Sequence, residues 1–402
     1  MGVLAAPSLV RVQDGGKLLG FLAVHSLVGG RCCGGVRMLP DVSGEELQIL
    51  ARCMTLKYGL LGLPQGGAKA GVIGDPDAPA ESRRLLLQRF GHGVNDLLRS
   101  RRYNPGPDMG TTNRDIAQML ADNGIRPSPK DFKVQDSGFY TALGVFAAAR
   151  EAGVKAGIPL RGARAAIHGF GAVGTALARL LDKAGAKLVS IATSYGGLCA
   201  PNGFDVPALL EAASRTGSRL PESFPGRRIP PEEVLESDVE FLFPCARHHA
   251  MHEGNVAAVR APVISPAANA ACTLAAEEEL LRRGVFCLPD FVANAGGVLG
   301  GTMEFAGIKP PRVTELIESW MADVVRSLWT AAARDGRAPR QLAQEFALRR
   351  HAGIQEEAAN PTFARRIIGW GVRLHRAAIA PEPLVRRLAE RHFERLVAEI
   401  RF

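Results

Sequence analysis

The sequence contains no Cys-x-x-Cys pair, no run of five like charges and no apolar stretch of bilayer length. Each absence removes a class of function. The seven cysteines (Cys32, Cys33, Cys53, Cys199, Cys245, Cys272 and Cys287) form an odd set, and several stand in apolar strings such as VFCLP. They read as reduced core residues, not as a disulfide framework or a zinc cluster. The formal net charge is +9, but the excess is arginine dispersed along presumed helices. Without a basic run this describes a solvated surface, so no nucleic-acid partner is expected, while an anionic small ligand fits. The best apolar run, LLGFLAVHSLV at 18–28, is shorter than the roughly 20 residues that cross a bilayer and contains His25. The N-terminus has no basic-then-apolar leader pattern. A soluble cytoplasmic protein with no membrane partner is expected.

Glycine (45) and proline (26) are plentiful but follow no period, which excludes collagen-like and low-complexity chains. At 402 residues with 47% hydrophobic content the chain exceeds one domain and can fill a sizeable core. The first part mixes strand-like KLLGFLAVHSLV with helix-like GEELQILARCMTLKYGLL. There Leu47, Leu50 and Met54 recur at helical spacing, and Glu45 and Glu46 suit the positive end of the helix dipole. A loop rich in turn formers covers 103–113. From about 137 helices and short apolar strands alternate through TALGVFAAAREA, ARAAIHGFGAVG, TALARLLDKAG, KLVSIAT, EFLFPC and APVISPA. Such alternation predicts a parallel sheet covered on both faces. The expected fold is α/β with two domains. Residues 1–136 form a substrate and oligomerisation domain, residues 137–330 a Rossmann-type dinucleotide-binding domain, and helices of 331–402 pack back on the first.

His168-Gly169-Phe170-Gly171-Ala172-Val173-Gly174 holds G-x-G-x-x-G directly between an apolar strand and a helix. In that setting the glycines serve a tight turn, close approach to a pyrophosphate and close helix–strand packing. The next strand ends in Thr193 and Ser194, where an acid would select NAD through the ribose 2′-hydroxyl. With no carboxylate to repel a 2′-phosphate, and no arginine at the strand end, the expected cofactor is NAD(P).

Lys69 stands in LPQGGAKAGV among small residues. It is no P-loop lysine, since glycine does not precede it and neither Ser nor Thr follows. A desolvated amine beside a second cation, Lys57 on the preceding helix, is the sharper expectation. Burial and like charge both lower a lysine's pKa, and a fall from about 10.4 to about 8 represents roughly 3 kcal/mol. The result is a base usable near neutral pH.

RCCGGVRM, MTLKYGLLGLPQGGAKAGV, PGPDMGT, GFGAVG, FPCA, AANAACT and PDFVANAGGV together resemble the Glu/Leu/Phe/Val amino-acid dehydrogenase family, in family order over roughly 20–350. The resemblance implies that Lys57 holds the substrate α-carboxylate, Lys69 activates water against the iminium carbon, and Asp108 exchanges a proton with the substrate nitrogen. It implies that Thr141, Asn269 and Asn294 line the nicotinamide and its ribose. Gly169, Gly171 and Gly174, with Ala172 and Val173 between them, carry the phosphates, and Cys245 and Ala246 border the cofactor with Thr193 and Ser194. In glutamate-specific members a lysine precedes GG[VL]R and a serine follows NAGGV, both meeting the substrate γ-carboxylate. Here those positions are Cys33, beside Gly34, and Gly301. A buried γ-carboxylate without such partners is strongly disfavoured. The resemblance therefore leans toward the leucine/phenylalanine-type members. The expected reaction is reversible oxidative deamination of an aromatic or branched-chain L-amino acid, in a homo-oligomer. Two alternatives stay open: a paralogue that condenses aromatic 2-oxo acids, and a catalytically idle nucleotide-binding relative. His248 and His252 are four apart, but no H-E-x-x-H order or third ligand accompanies them, so no metal is expected.

Overall fold

A computed structural model describes residues 7–128 and 137–402. In chain order the elements begin β1 (Ser8–Asp14), β2 (Lys17–Val24), β3 (Cys32–Leu39), α1 (Gly44–Leu61), β4 (Gly66–Ile73), α2 (Ala80–Gly93), α3 (Asn95–Arg99), β5 (Tyr103–Pro107) and α4 (Asn113–Asp122). Then come α5 (Ser137–Ala156), β6 (Arg164–His168), α6 (Ala172–Lys183), β7 (Lys187–Thr193), β8 (Gly196–Cys199), α7 (Val206–Thr216), α8 (Leu220–Ser223), β9 (Arg227–Ile229), β10 (Phe241–Pro244) and β11 (Val263–Ile264). The chain closes with α9 (Leu274–Arg282), β12 (Phe286–Cys287), α10 (Asp290–Ala293), α11 (Gly296–Phe305), α12 (Pro310–Asp335), α13 (Pro339–Ala359), α14 (Phe363–Arg376) and α15 (Glu382–Ala398).

These form two compact units, one of residues 1–135, 305–307 and 345–392, the other of 136–304, 308–344 and 393–402. The C-terminal helices, expected to join the first unit from 331, are thus shared between the two. A buried stripe on α12 (Val313, Ile317, Trp320, Val324, Leu328) faces α5 of the second unit. Residues 345–392 belong to the first unit, and 393–402 return to the second. In the first unit α13 approaches α1 so closely that a side chain at Gly59 would meet the Ala347 carbonyl at 2.1 Å.

The first unit holds a five-stranded sheet in the order β1-β2-β4-β3-β5. β1, β2 and β4 pair antiparallel; β3 runs parallel to both β4 and β5. The run expected as one strand from 17 to 28 ends at Val24, and His25 begins a loop. One face carries the main core with α2 and α4; the other packs Phe21 and Ala23 against Leu47, Leu50 and Ala51 of α1. α1 spans the residues its pattern predicts, capped by Ser43 Oγ, which accepts from Glu46 N–H, and closed by Gly62 at φ 65°.

The second unit holds a seven-stranded sheet in the order β12-β11-β10-β6-β7-β8-β9. Its first five strands are parallel, and β8 and β9 add an antiparallel edge. From β6 the chain moves outward to β7, then returns to lay β10 on the other side of β6. That reversal opens a crevice at the carboxyl ends of β6 and β10, the usual nucleotide position in such sheets. Among the described residues no helix is long and apolar enough to cross a membrane, and none of the seven cysteines is in a disulfide.

Candidate active site

Alternation along β4 explains the lysine in its apolar setting. Ala68, Ala70 and Val72 enter the core, which turns Gly67, Lys69 and Gly71 toward α1. The helix lies so close that a Cβ at Gly67 would meet Thr55 Oγ1 at 2.2 Å, and one at Gly71 would meet Leu47 Cδ1 at 2.9 Å. Lys69, between two obligatory glycines, is 3% exposed.

Its partner comes from the other side of the sheet. β5 ends at Pro107 opposite Val36 of β3, and pairing continues as Met38 N–H donates to the Met109 carbonyl. Asp108 thereby lies beside Arg37. Thr111 Oγ1 fixes this turn by accepting from Asp108 N–H (3.0 Å) and donating to the Val36 carbonyl (2.7 Å). Lys69 Nζ lies 2.8 Å from Asp108 Oδ1, and Arg37 Nε donates to Asp108 Oδ2 at 2.8 Å. The far side of the Arg37 guanidinium binds Glu46, which is 2% exposed. Four charges alternate in sign: Glu46, Arg37, Asp108, Lys69.

Burial is the largest influence on Lys69 and works against its ammonium. Arg37 adds repulsion, Asp108 offsets only part, and the pKa settles below the ordinary lysine value. The cation acting on Lys69 is therefore Arg37, in the part expected of Lys57. Lys57 itself is 6% exposed and lies one turn along α1 from Cys53, whose thiol acts on Lys69. Positions 53 and 57 share a helix face. For Asp108, burial would raise the carboxyl, but Lys69 and Arg37 outweigh it and hold it well below the usual carboxylate range. Sequence reading missed Arg37 and gave Glu46 only a place at the positive end of the helix dipole. The available signal was a charge inside the otherwise apolar strand CCGGVRML.

Gly34 serves the backbone, since a Cβ there would lie 1.7 Å from the Ala68 carbonyl oxygen; its own carbonyl accepts from Tyr103 Oη at 2.9 Å. Cys33 is half-buried, and burial pushes its thiol up despite the cations Arg376 and Lys69 nearby. Tyr58 Oη donates to the Cys33 carbonyl at 3.5 Å. Gly301, in the second unit, is half-buried midway along α11.

In the second unit the glycine turn sits in the crevice. Gly169 has φ 113°, and a Cβ there would meet Ala246 N at 2.6 Å; one at Gly174 would meet the Gly169 carbonyl oxygen at 2.2 Å. At Gly171 a Cβ would meet nothing. Gly171 is also the N-cap of α6, whose first turn, including Ala172 and Val173, has no side-chain cap and no acid. The three glycines thus divide into turn, open space for a phosphate and helix packing, and the site fits a dinucleotide. Gly171 is extended (φ −93°), so Gly171→Ala should change stability by less than about 0.5 kcal/mol. It should weaken NADH and NADPH binding about tenfold or more by intruding on the phosphate path; fluorescence titration beside thermal melting checks both.

Cys245 N–H donates to the His168 carbonyl, and burial raises its thiol to about 12, so it is no nucleophile. Asn294 Nδ2 donates to Asn269 Oδ1 (3.1 Å) and to the Ala267 carbonyl (3.0 Å). Asn294 Oδ1 is buried with no partner among the described residues, an acceptor suited to a ligand amide. Thr141 donates to Ser137 carbonyl (2.9 Å), and a Cβ at Gly297 would lie 2.1 Å from its hydroxyl. Thr193 departs from expectation. Its hydroxyl donates to the Ser218 carbonyl (2.6 Å) and accepts from Tyr195 N–H (3.1 Å), so it is committed to the fold. Ser194 is exposed. The arginine missing from the strand end in sequence arrives from 26 positions on, as Arg219 stacks over Tyr195 at 4.6 Å. Among the described residues no group of three or more His, Cys, Asp or Glu could hold a metal.

Known proteins resemble this chain over both units. Residues 7–123 match the model of the Glu/Leu/Phe/Val dehydrogenase dimerisation domain, and residues 135–358 that of Glutamate/Leucine/Phenylalanine/Valine dehydrogenase. The NADP-specific glutamate dehydrogenase of Saccharolobus shibatae is 34% identical over 75% of this chain and 74% of its own. The NAD-specific glutamate dehydrogenase of Staphylococcus aureus is 33% identical over 72% and 73%. The hetero-hexameric glutamate dehydrogenase of Thermus thermophilus, in its Leu-bound form, superposes with a TM-score of 0.74 at 29% identity, covering 87% of this chain and 89% of that one. These relatives are named for glutamate, so they give no support to the leaning toward leucine/phenylalanine-type members.

Proposed function

The chain belongs to the Glu/Leu/Phe/Val dehydrogenase family, and from that premise we propose a reversible oxidative deamination of an L-amino acid with an apolar side chain. Its class is that of an NAD(P)-dependent amino-acid dehydrogenase, an oxidoreductase. The observation that carries the catalytic reading is the buried alternation of Arg37, Asp108 and Lys69.

Gly169, Gly171 and Gly174 would hold NAD(P), with Asn294 and Thr141 at its nicotinamide end, and the bound group would supply the hydride acceptor. Everything else falls to side chains. Lys57 holds the α-carboxylate. Lys69, with its ammonium disfavoured, takes a proton from water so that the oxygen can add to the iminium carbon. Asp108 exchanges a proton with the departing nitrogen. Two cations make Asp108 a feeble base, but once Lys69 is neutral only Arg37 remains and its proton affinity rises. Arg37, anchored by Glu46, is a positioning residue that keeps Asp108 aimed. The buried setting keeps these charges from solvent screening.

The apolar preference rests on Cys33 and Gly301, which offer a neutral thiol and no side chain where glutamate-specific members have Lys and Ser. A second reading, an acidic side chain, is favoured by Arg376, close enough to Cys33 to act on its thiol, and by the names of the relatives. An assay by nicotinamide absorbance with Leu, Ile, Phe, Tyr, Trp and Glu, using NAD and NADP separately, tests both. Apolar substrates should exceed glutamate in kcat/KM by about 100-fold. Efficient glutamate turnover that collapses in Arg376→Leu instead selects the second reading. A homo-oligomer is proposed on the same family ground.

A further inference from the structure

Within the first unit, a cavity of about 390 Å³ shares no residue with the Lys69 cluster. His25 enters it from the loop after β2, Thr55 from α1, and His351 and Gln355 from α13. Most polar atoms on its walls are committed. Ser26 Oγ bonds Thr55 Oγ1 at 2.7 Å and accepts from Gly67 N–H; His25 Nδ1 bonds Thr55 Oγ1 at 3.0 Å. Gln355 Nε2 donates to the Leu27 carbonyl at 2.8 Å, which leaves its Oε1. His351 differs. It is 3% exposed, and neither ring nitrogen has a partner among the described residues. A buried imidazole without a bond is costly, and native proteins rarely keep one without a ligand or water to satisfy it.

The surroundings select the sign of that ligand. Burial, then Arg52, holds His25 below the ordinary imidazole value; burial, then His25, does the same to His351. No described carboxylate acts on either ring. The neighbouring Arg350 of α13 donates to the Leu60 carbonyl. The Arg52 charge acting on His25 opposes a cation here, and among the described residues the donor set for a metal is lacking. Imidazole N–H groups in a positive field suit oxygen anions.

We propose that this cavity binds a small oxyanion, a carboxylate or a phosphate group, between His25 and His351. The anion favours protonated rings, so binding takes up protons and tightens as pH falls. The site is independent of which amino acid the enzyme oxidises.

Isothermal titration of the full chain with inorganic phosphate and with propionate, each at pH 6 and pH 8, tests the proposal. At least one probe should bind about tenfold more tightly at pH 6, and the tighter one identifies the source. His351→Phe fills the same space without a polar atom, and should lose about tenfold in affinity while keeping kcat and melting temperature. Should that variant fail to fold, His25→Asn must show the same loss. Binding equal in wild type and variant would place the probe at the active site and overturn the proposal. So would binding indifferent to pH, no binding of either probe, or binding of Zn²⁺ alone.

Discussion

Lys69→Met lowers turnover about 10²- to 10⁴-fold, the range expected when a positioned acid–base group is removed. Methionine keeps the buried volume and removes the amine. Asp108 retains the Arg37 bond at 2.8 Å, so the carboxylate is not abandoned in the interior and the fold survives. Cofactor affinity stays unchanged, because the glycine turn belongs to the other unit. The pH profile gives the sharper reading. Burial and Arg37 hold Lys69 below its ordinary value, so wild-type kcat/KM for deamination climbs with pH below 10.5 as the amine loses its proton. The variant loses that limb. Retention of both turnover and the limb, at unaltered cofactor affinity, removes Lys69 from the chemistry, and absence of turnover in the wild type returns the protein to the idle nucleotide-binding alternative.

Arg340→Met lowers stability by about 3–5 kcal/mol, the cost of abandoning buried charge partners. Arg340 Nε binds Glu277 Oε2 and its Nη2 binds Asp290 Oδ1, both at 2.6 Å, with Asp290 fully buried. Asp290 Oδ2 in turn accepts from Ala270 N–H, a residue at φ 49° beside Asn269. The arginine thus braces the loop that carries Asn269, and if that residue serves the cofactor as proposed, loss of the arginine should show in cofactor affinity as well as in urea unfolding. Burial raises Glu277 to about 7 even with Arg340 in place. A carboxyl raised in the folded state adds stability below its unfolded value of 4.5, and that contribution fades as pH rises through about 7. The deficit of Arg340→Met should therefore be larger at pH 8 than at pH 5. A variant as stable as wild type at pH 8 would remove the charge argument.

Much of the site was legible because its chemistry violates local composition. A lysine among alanines and glycines, and three glycines between strand and helix, contradict their surroundings unless a ligand or a close backbone approach demands them. Arg37 carried the same contradiction within CCGGVRML, yet its role depends on partners 9 and 71 positions away. Arg219 escaped entirely. It stands in a loop of ordinary polarity, and only the antiparallel edge and the helices following β8 bring it to Tyr195.

Asp108 stood out only through the family resemblance. From the sequence alone came the two-unit α/β organisation, the residues of α1, the glycine turn between strand and helix, and the anomaly of Lys69 in its apolar setting. Those features follow from period, spacing and steric demand over a few residues. Which cation depresses Lys69, which hydroxyl remains open to a ribose, and where the chain divides after 330 were decided by tertiary structure. The reason is geometric. A charge acts over a few ångströms regardless of sequence distance, and sheet order, with β3 laid between β4 and β5, sets which charges come that close.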